Sequence, residues 1–166
     1  MPEHTHGDSH HGPADSGPPA AGKPVLQRLT EAECLRLIER GGIGRIAYPG
    51  RFGLTVFPVN YKLHHGGIVF RTGEGSPTGE DLHTGIAHAE YTVAFEVDEF
   101  DKATHEGWSV LVQGPAHLVT TPAERAAMRE SGVEPWPAGD RDQAVRITPL
   151  RVTGRRLSQT RGSGGR

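Results

Sequence analysis

The segment Val56–Ser76, with the sequence VFPVNYKLHHGGIVFRTGEGS, most strongly constrains the fold of this chain. From Phe57 to Leu63, apolar residues alternate with polar or turn-forming ones, the period of two that is typical of a strand with one buried face. His64–Gly67 supply a turn, and Ile68–Phe70 return as a partner strand. The pattern therefore predicts a β-hairpin.

The second strand of this hairpin runs into a loop whose residues are suited to bind an anion. Arg71 carries a guanidinium fork, Thr72 and Ser76 carry hydroxyls, and the glycines between them allow backbone N–H groups to approach a phosphate closely. A short helix is predicted over residues 80–90, and its positive N-terminus would add to such a site. Glu74 favours the other interpretation, an ordinary solvated turn, so these residues alone leave phosphate binding open.

The rest of the chain predicts short strands with few helices. Strands are predicted at residues 43–48, 54–63, 68–72, 91–99, 108–120, 144–148 and 152–157, and helices after the capping box of Thr30, at 80–90 and at 122–129. Strands that outnumber helices and follow one another as hairpins favour an antiparallel barrel over a parallel α/β sheet. Leu111 lies between Val110 and Val112, so both faces of that strand are apolar, and a homodimer with a broad interface is expected.

Composition limits the folded part of the chain and the classes of function. Residues 1–24 form a His/Pro/Gly-rich tail with almost no apolar side chains, and residues 158–166 are similarly polar, so one domain is expected over residues 25–157. The histidines of the first tail could bind a transition metal loosely, although a solvated tail is the simpler interpretation.

The sequence shows no signal peptide and no apolar run of ~20 residues, and Cys34 is the lone cysteine, which indicates a soluble cytoplasmic protein. A net charge of −2 gives no case for nucleic acid.

Sequence blocks along the chain occur in a familiar order. They are GRIAY (44–48), FPVNY (57–61), IVFRTGEGS (68–76), VAFEVDEFD (93–101), GWSVLVQGPA (107–116) and RVTGRR (151–156). Together they resemble the pyridoxamine 5′-phosphate oxidase-like family of FMN-binding split β-barrels, in particular its small actinobacterial-type branch. The resemblance covers most of residues 29–157. It implies a mainly β split barrel with a few short helices, and a dimer that binds FMN in clefts between the two barrels.

The resemblance also implies which residues hold the flavin. The backbone around Val59, Asn60 and Tyr61 would lie beside the isoalloxazine ring, Arg71, Thr72 and Ser76 would hold the phosphate, and Trp108, Ser109 and Val110 would approach from the partner subunit. The chain departs from the oxidase after the phosphate-loop serine, where Pro77-Thr78 replaces an Arg-Lys pair. Two charge-assisted bonds of roughly 1.5–3 kcal/mol each are therefore missing from the loop. Efficient oxidation of pyridoxamine 5′-phosphate is not expected.

The leading functional hypothesis is an FMN-dependent oxidoreductase that acts on a small molecule. The alternatives are a flavin-binding or flavin-sequestering protein without turnover, and a family member that uses deazaflavin or haem. No catalytic residue is assigned, because flavin itself supplies the redox chemistry. Trp108 fits either a wall of the flavin site or a core position. Residues with weaker indications are His64, His65, His83, His88, His105 and His117, which show no metal-ligand spacing, and Arg151, Arg155 and Arg156, which fit a solvated edge or an anionic substrate site.

Overall fold

The computed structural model describes residues 24–73, 91–134 and 143–159, and these ranges form an antiparallel β-barrel with two short helices. The strands are β1 (Pro24–Leu29), β2 (Gly42–Gly50), β3 (Gly53–His64), β4 (Gly67–Thr72), β5 (Tyr91–Asp101), β6 (Glu106–Leu118), β7 (Gln143–Ile147) and β8 (Arg151–Gln159). The helices are α1 (Glu31–Ile38) and α2 (Pro122–Glu130). The mainly β fold with short helices is confirmed.

The sheet closes into a barrel because strand β6 pairs with three neighbours. The strand order is β1-β8-β6-β5-β2-β3-β4-β7, with an additional β6–β7 pairing that completes the ring. Strand β6 pairs with β8 up to Gln113 and with β7 from Ala116 onward. Gly114 lies between these two segments, where a β-carbon would be 1.9 Å from the carbonyl oxygen of Thr148. Only glycine leaves room for the backbone of Thr148 to pass this close to β6. Strand β6 therefore continues through the Gly114-Pro115 pair.

The predicted hairpin is confirmed as β3 and β4. Phe57 and Val59 pack against the barrel core and Tyr61 is buried within it, while Pro58 on the opposite face is exposed. The turn contains two consecutive residues in the left-handed region, His65 (φ 46°) and Gly66 (φ 71°), as a two-residue type I′ hairpin turn requires.

Strand β1 was not predicted from the sequence. It pairs over its whole length with β8 near the other end of the chain, and no local sequence pattern predicts this contact. The helix predicted at residues 80–90 lies outside the described residues, as does the Pro77-Thr78 pair.

The barrel interior is filled by aromatic and aliphatic side chains. Phe95 is fully buried and contacts Tyr61 edge-to-face at 5.2 Å and Phe70 in a stacked arrangement at 6.5 Å between ring centroids. The Tyr61 hydroxyl donates a hydrogen bond to the Ile38 carbonyl oxygen at 3.1 Å, and burial raises the pKa of Tyr61 to about 12. This bond ties α1 to the barrel. Cys34 on α1 is also fully buried, as expected for a small core residue.

Helix α2 packs on the outside of the barrel. Its buried Met128 joins Val69 of β4 and Ala144 of β7 in a second apolar cluster. The helix begins with a capping box in which Thr121 and Glu124 exchange hydrogen bonds. Burial raises the pKa of Glu124, but hydrogen bonds from Thr121 and His117 outweigh burial and lower it to about 2. The apolar cluster and the 2.8 Å contact of Glu124 with His117 of β6 therefore fix α2 across the outer face of β4 and β7.

Among the described residues, neither helix has the length and apolar composition needed to cross a membrane.

Candidate functional site

Strand β4 carries two of the predicted phosphate ligands on opposite faces. Thr72 is buried, on the same face as the core residue Phe70, whereas Arg71 lies with Val69 on the outer face beneath α2. The structure therefore does not place the side chains of Arg71 and Thr72 beside each other. Ser76, the third predicted phosphate ligand, lies outside the described residues.

The guanidinium of Arg71 borders a cationic cavity between β4, β7 and α2. This cavity of about 290 Å³, called the arginine pocket below, is lined by Arg71, Arg125 and Arg129 together with Val119, Met128 and Ala144. The Nε atom of Arg71 is buried and has no hydrogen-bond partner among the described residues. The described lining residues include no carboxylate. A buried donor beside two further guanidiniums is suited to hold a phosphate or another oxyanion.

The two helix arginines were not among the site residues predicted from the sequence. Arg125 and Arg129 are four residues apart and therefore lie on the same face of α2. The Thr121–Glu124 capping box and this spacing were both visible in the sequence. What the sequence did not reveal is that this face meets the outer face of β4, which depends on the packing of Met128.

The residues predicted to flank the flavin ring lie on β3. Val59 and Tyr61 direct their side chains toward the barrel core, so a ligand on the outer face could contact them only through the backbone. Asn60 is half-buried on the outer face, next to the Tyr61–Phe70 pair at which β3–β4 pairing ends. Arg71 directly follows Phe70, so Asn60 and Arg71 share the outer face where the two strands separate.

The third predicted group lies on β6, on the far side of the sheet. Val110 is fully buried and Trp108 packs against the barrel core, so these two side chains face inward. Ser109 faces outward and borders a cavity of about 510 Å³ that is also lined by Arg28, Arg151 and Arg155. Strands β2 and β5 separate β6 from β3, a distance of about 14 Å at ~4.8 Å per strand. A single chain therefore does not bring Ser109 beside Asn60.

Comparison with known proteins identifies the family. Residues 30–156 match the family model described as pyridoxamine 5′-phosphate oxidase. The uncharacterized protein Rv0080 of Mycobacterium tuberculosis is 31% identical over 129 residues, which cover 78% of this chain and 84% of Rv0080. The crystal structure of an FAD binding protein from Mycobacterium smegmatis is similar with a TM-score of 0.64 and 30% identity, over 78% of this chain and 98% of that one.

A more distant structure shares the fold alone. An FAD-binding protein from Mesorhizobium loti is 20% identical with a TM-score of 0.63, over 82% of this chain and 99% of that one. The split barrel expected from the sequence blocks is thus confirmed by structure as well as by the match over residues 30–156. The chain belongs to the pyridoxamine 5′-phosphate oxidase family.

Proposed function

We propose that this protein is a flavin-dependent oxidoreductase that holds the phosphate of FMN in the arginine pocket. The observation that carries the proposal is the pocket itself. In a barrel of this family, Arg71, Arg125 and Arg129 line one cavity, and the buried Nε of Arg71 has no hydrogen-bond partner among the described residues. A phosphate would satisfy that donor and offset the repulsion between the guanidiniums.

The arginine pocket compensates for the basic pair that the phosphate loop lacks. The loop has Pro77-Thr78 where the vitamin B6 oxidase has Arg-Lys. Arg125 and Arg129 supply the same number of positive charges from α2, on the outer face where Arg71 emerges. Both helix arginines are exposed, so each is expected to contribute less to binding than the half-buried Arg71. Among the described residues, the proposed phosphate ligands therefore lie on helix α2 and strand β4.

The flavin, when bound, supplies the hydride and electron transfer. The chain would position the flavin: the backbone on the outer face of β3 would lie beside the ring, and Asn60 lies on the same face as Arg71, where it could contact the cofactor. Correct orientation of a flat donor or acceptor over the ring contributes several kcal/mol to the rate without any acid–base group. The cavity of about 510 Å³ beside Ser109 favours a substrate that carries negative charge, because it is lined by Arg28, Arg151 and Arg155.

FAD is the second candidate cofactor, because the M. smegmatis relative of 30% identity is an FAD binding protein. FMN and FAD share the isoalloxazine ring, the ribityl chain and the first phosphate, so the arginine pocket suits both. Heat release of the bound flavin followed by chromatography separates the two candidates. Recovery of FMN supports FMN as the cofactor. Recovery of FAD would make FAD the proposed cofactor and leave the proposed phosphate site unchanged.

A homodimer is part of the proposal. Phe52, Leu54 and Val56 at the β2–β3 end of the barrel are 95%, 90% and 58% exposed, an apolar patch that a second subunit would cover. The pairing would also bring Ser109 of one subunit to the flavin held by the other. We expect light scattering at low micromolar concentration to give twice the mass of 17.9 kDa, with more than ~2,000 Å² buried in total. A monomer at that concentration contradicts the dimer and the shared cleft.

The enzymatic part of the proposal is tested under anaerobic conditions. The flavin-loaded protein is mixed with NADH, NADPH or reduced deazaflavin, and bleaching of the flavin absorbance is followed against free flavin at the same concentration. Quinones, nitro compounds, anionic acceptors and oxygen are then offered to the reduced protein, with pyridoxamine 5′-phosphate as a substrate that is expected to react slowly. Faster reduction than that of free flavin supports an oxidoreductase. If no donor reduces the bound flavin, the protein is a flavin-binding protein without turnover and not an oxidoreductase.

A further inference from the structure

A second cluster of chemically active side chains lies at the turn between β3 and β4. His64 and His65 stack edge-to-face with their ring centroids 4.1 Å apart. Arg146 of β7 donates hydrogen bonds from its guanidinium to the carbonyl oxygens of His64 at 3.2 Å and His65 at 3.0 Å. The turn is thereby held in one conformation, so the two imidazoles occupy defined positions and are not part of a loose loop.

Helix α2 ends next to this turn and adds a carboxylate. Glu130 is its last residue, and one ligand atom from each of His64, His65 and Glu130 lies within 4.8 Å of the others. Donors bound to one metal ion at ~2.1 Å are about 3.4 Å apart, so a small rotation of the exposed His65 and Glu130 side chains completes the set. The C-terminal end of the helix dipole also favours a cation here.

The neighbouring cavity provides an independent indication of a ligand. It has a volume of about 340 Å³ and is lined by His64, His65 and His117, among other residues. The Nε2 atom of His64 and the Nδ1 atom of His117 are buried and have no hydrogen-bond partner among the described residues. Buried polar atoms without partners are rare, and two of them bordering one cavity are suited to contact an ion or a polar ligand there.

The environment of His117 resembles that of a histidine near a metal. Its Nε2 atom lies 2.8 Å from Oε1 of Glu124, a carboxylate that the capping box of α2 holds in place. When Nε2 carries the proton and donates to Glu124, the Nδ1 atom keeps a free lone pair. Metal-binding histidines are commonly oriented in this way by a carboxylate on the other ring nitrogen.

We propose that His64, His65 and Glu130 bind a divalent transition-metal ion, with zinc as the reference ion, and keep an open coordination position toward the cavity lined by His117. Two imidazoles and one carboxylate suit zinc and its neighbours in the first transition row rather than magnesium or calcium. Three protein ligands with one position left for water or another ligand are the arrangement of catalytic rather than structural zinc sites. The ion joins the β3–β4 turn to the end of α2, on the opposite flank of Met128 from the arginine pocket.

The test must separate this site from the histidines of the N-terminal tail. His4, His6, His10 and His11 are present in every full-length variant, so any zinc that the tail binds is the same in all of them. The variant His65→Asn removes one proposed ligand, and asparagine tolerates the positive φ of 46°. The matched control is His105→Asn, because His105 is also an exposed histidine with positive φ (58°) in a hairpin turn, on another side of the barrel.

The measurement is thermal unfolding of the full-length protein as purified, with and without zinc, together with competition against a chromogenic chelator. Zinc is expected to raise the midpoint of wild type and His105→Asn by about 5 °C, because ligand that binds only the folded state stabilises it. The His65→Asn protein should lose this shift, and it should retain one zinc equivalent fewer than wild type. Glu130→Gln, an exposed substitution that leaves the fold intact, should behave like His65→Asn. Equal shifts and equal zinc content in all four proteins would overturn the proposal.

Discussion

The variant Arg71→Ala is expected to bind FMN about 30- to 150-fold more weakly than wild type. Removing the guanidinium deletes charge-assisted hydrogen bonds worth roughly 2–3 kcal/mol in total, and the half-buried position of Arg71 limits replacement by water. The measurement is a fluorescence titration of FMN at fixed ionic strength, since screening weakens every contact in the arginine pocket.

Two further variants test whether the loss of FMN affinity is specific to the arginine pocket. Arg40→Ala removes an exposed arginine in the turn after α1, which does not line the arginine pocket, and should leave the FMN dissociation constant unchanged. Arg129→Ala removes an exposed member of the pocket and should weaken binding by a smaller factor than Arg71→Ala, about 5-fold. Equal FMN affinity in Arg71→Ala and Arg40→Ala would place the phosphate elsewhere.

The variant Phe95→Ala is expected to lower the free energy of unfolding by about 3–5 kcal/mol, the usual cost of truncating a fully buried phenylalanine. Its ring contacts Tyr61 and Phe70 and lies so close to β2 that a β-carbon at Gly44 would be 2.2 Å from its Cζ atom. The cavity would lie behind the strand that carries Asn60, so FMN affinity should fall together with stability. Urea unfolding of both proteins at one protein concentration measures the difference.

Phe100→Ala is the matched control for the core prediction. Phe100 lies on the same strand, β5, but half of its side-chain surface is exposed. Its truncation should cost about 1 kcal/mol or less. A similar loss of stability in the two variants would mean that the barrel core is not centred on Phe95.

The sequence predicted those parts of the fold whose signals are local. The β3–β4 hairpin follows from period-two alternation and a turn of His65 and Gly66, and α1 follows from the Thr30–Glu33 capping box, which forms as expected. Strand β1 was missed because its six residues become a strand only by pairing with β8 at the other end of the chain.

The candidate site was predicted less completely than the fold, because it depends on which strand faces meet. Arg71 was identified from its position at the end of a strand, but Thr72 beside it in sequence faces the opposite side of β4. Arg125 and Arg129 join the site only because Met128 packs α2 on β4. His64 and His65, for which no metal role was expected, meet Glu130 through the same packing, a contact across 65 residues that spacing in the sequence does not encode.

The comparison of FMN with riboflavin on the wild-type protein tests the phosphate site most directly. Riboflavin has the same ring and ribityl chain but lacks the phosphate that the arginine pocket is proposed to hold. The proposed phosphate site predicts saturable binding of one FMN per chain and at least about 100-fold weaker binding of riboflavin, because two or more charge-assisted bonds of roughly 1.5–3 kcal/mol each are lost. Equal affinity for the two flavins, or no saturable binding of FMN, would contradict it.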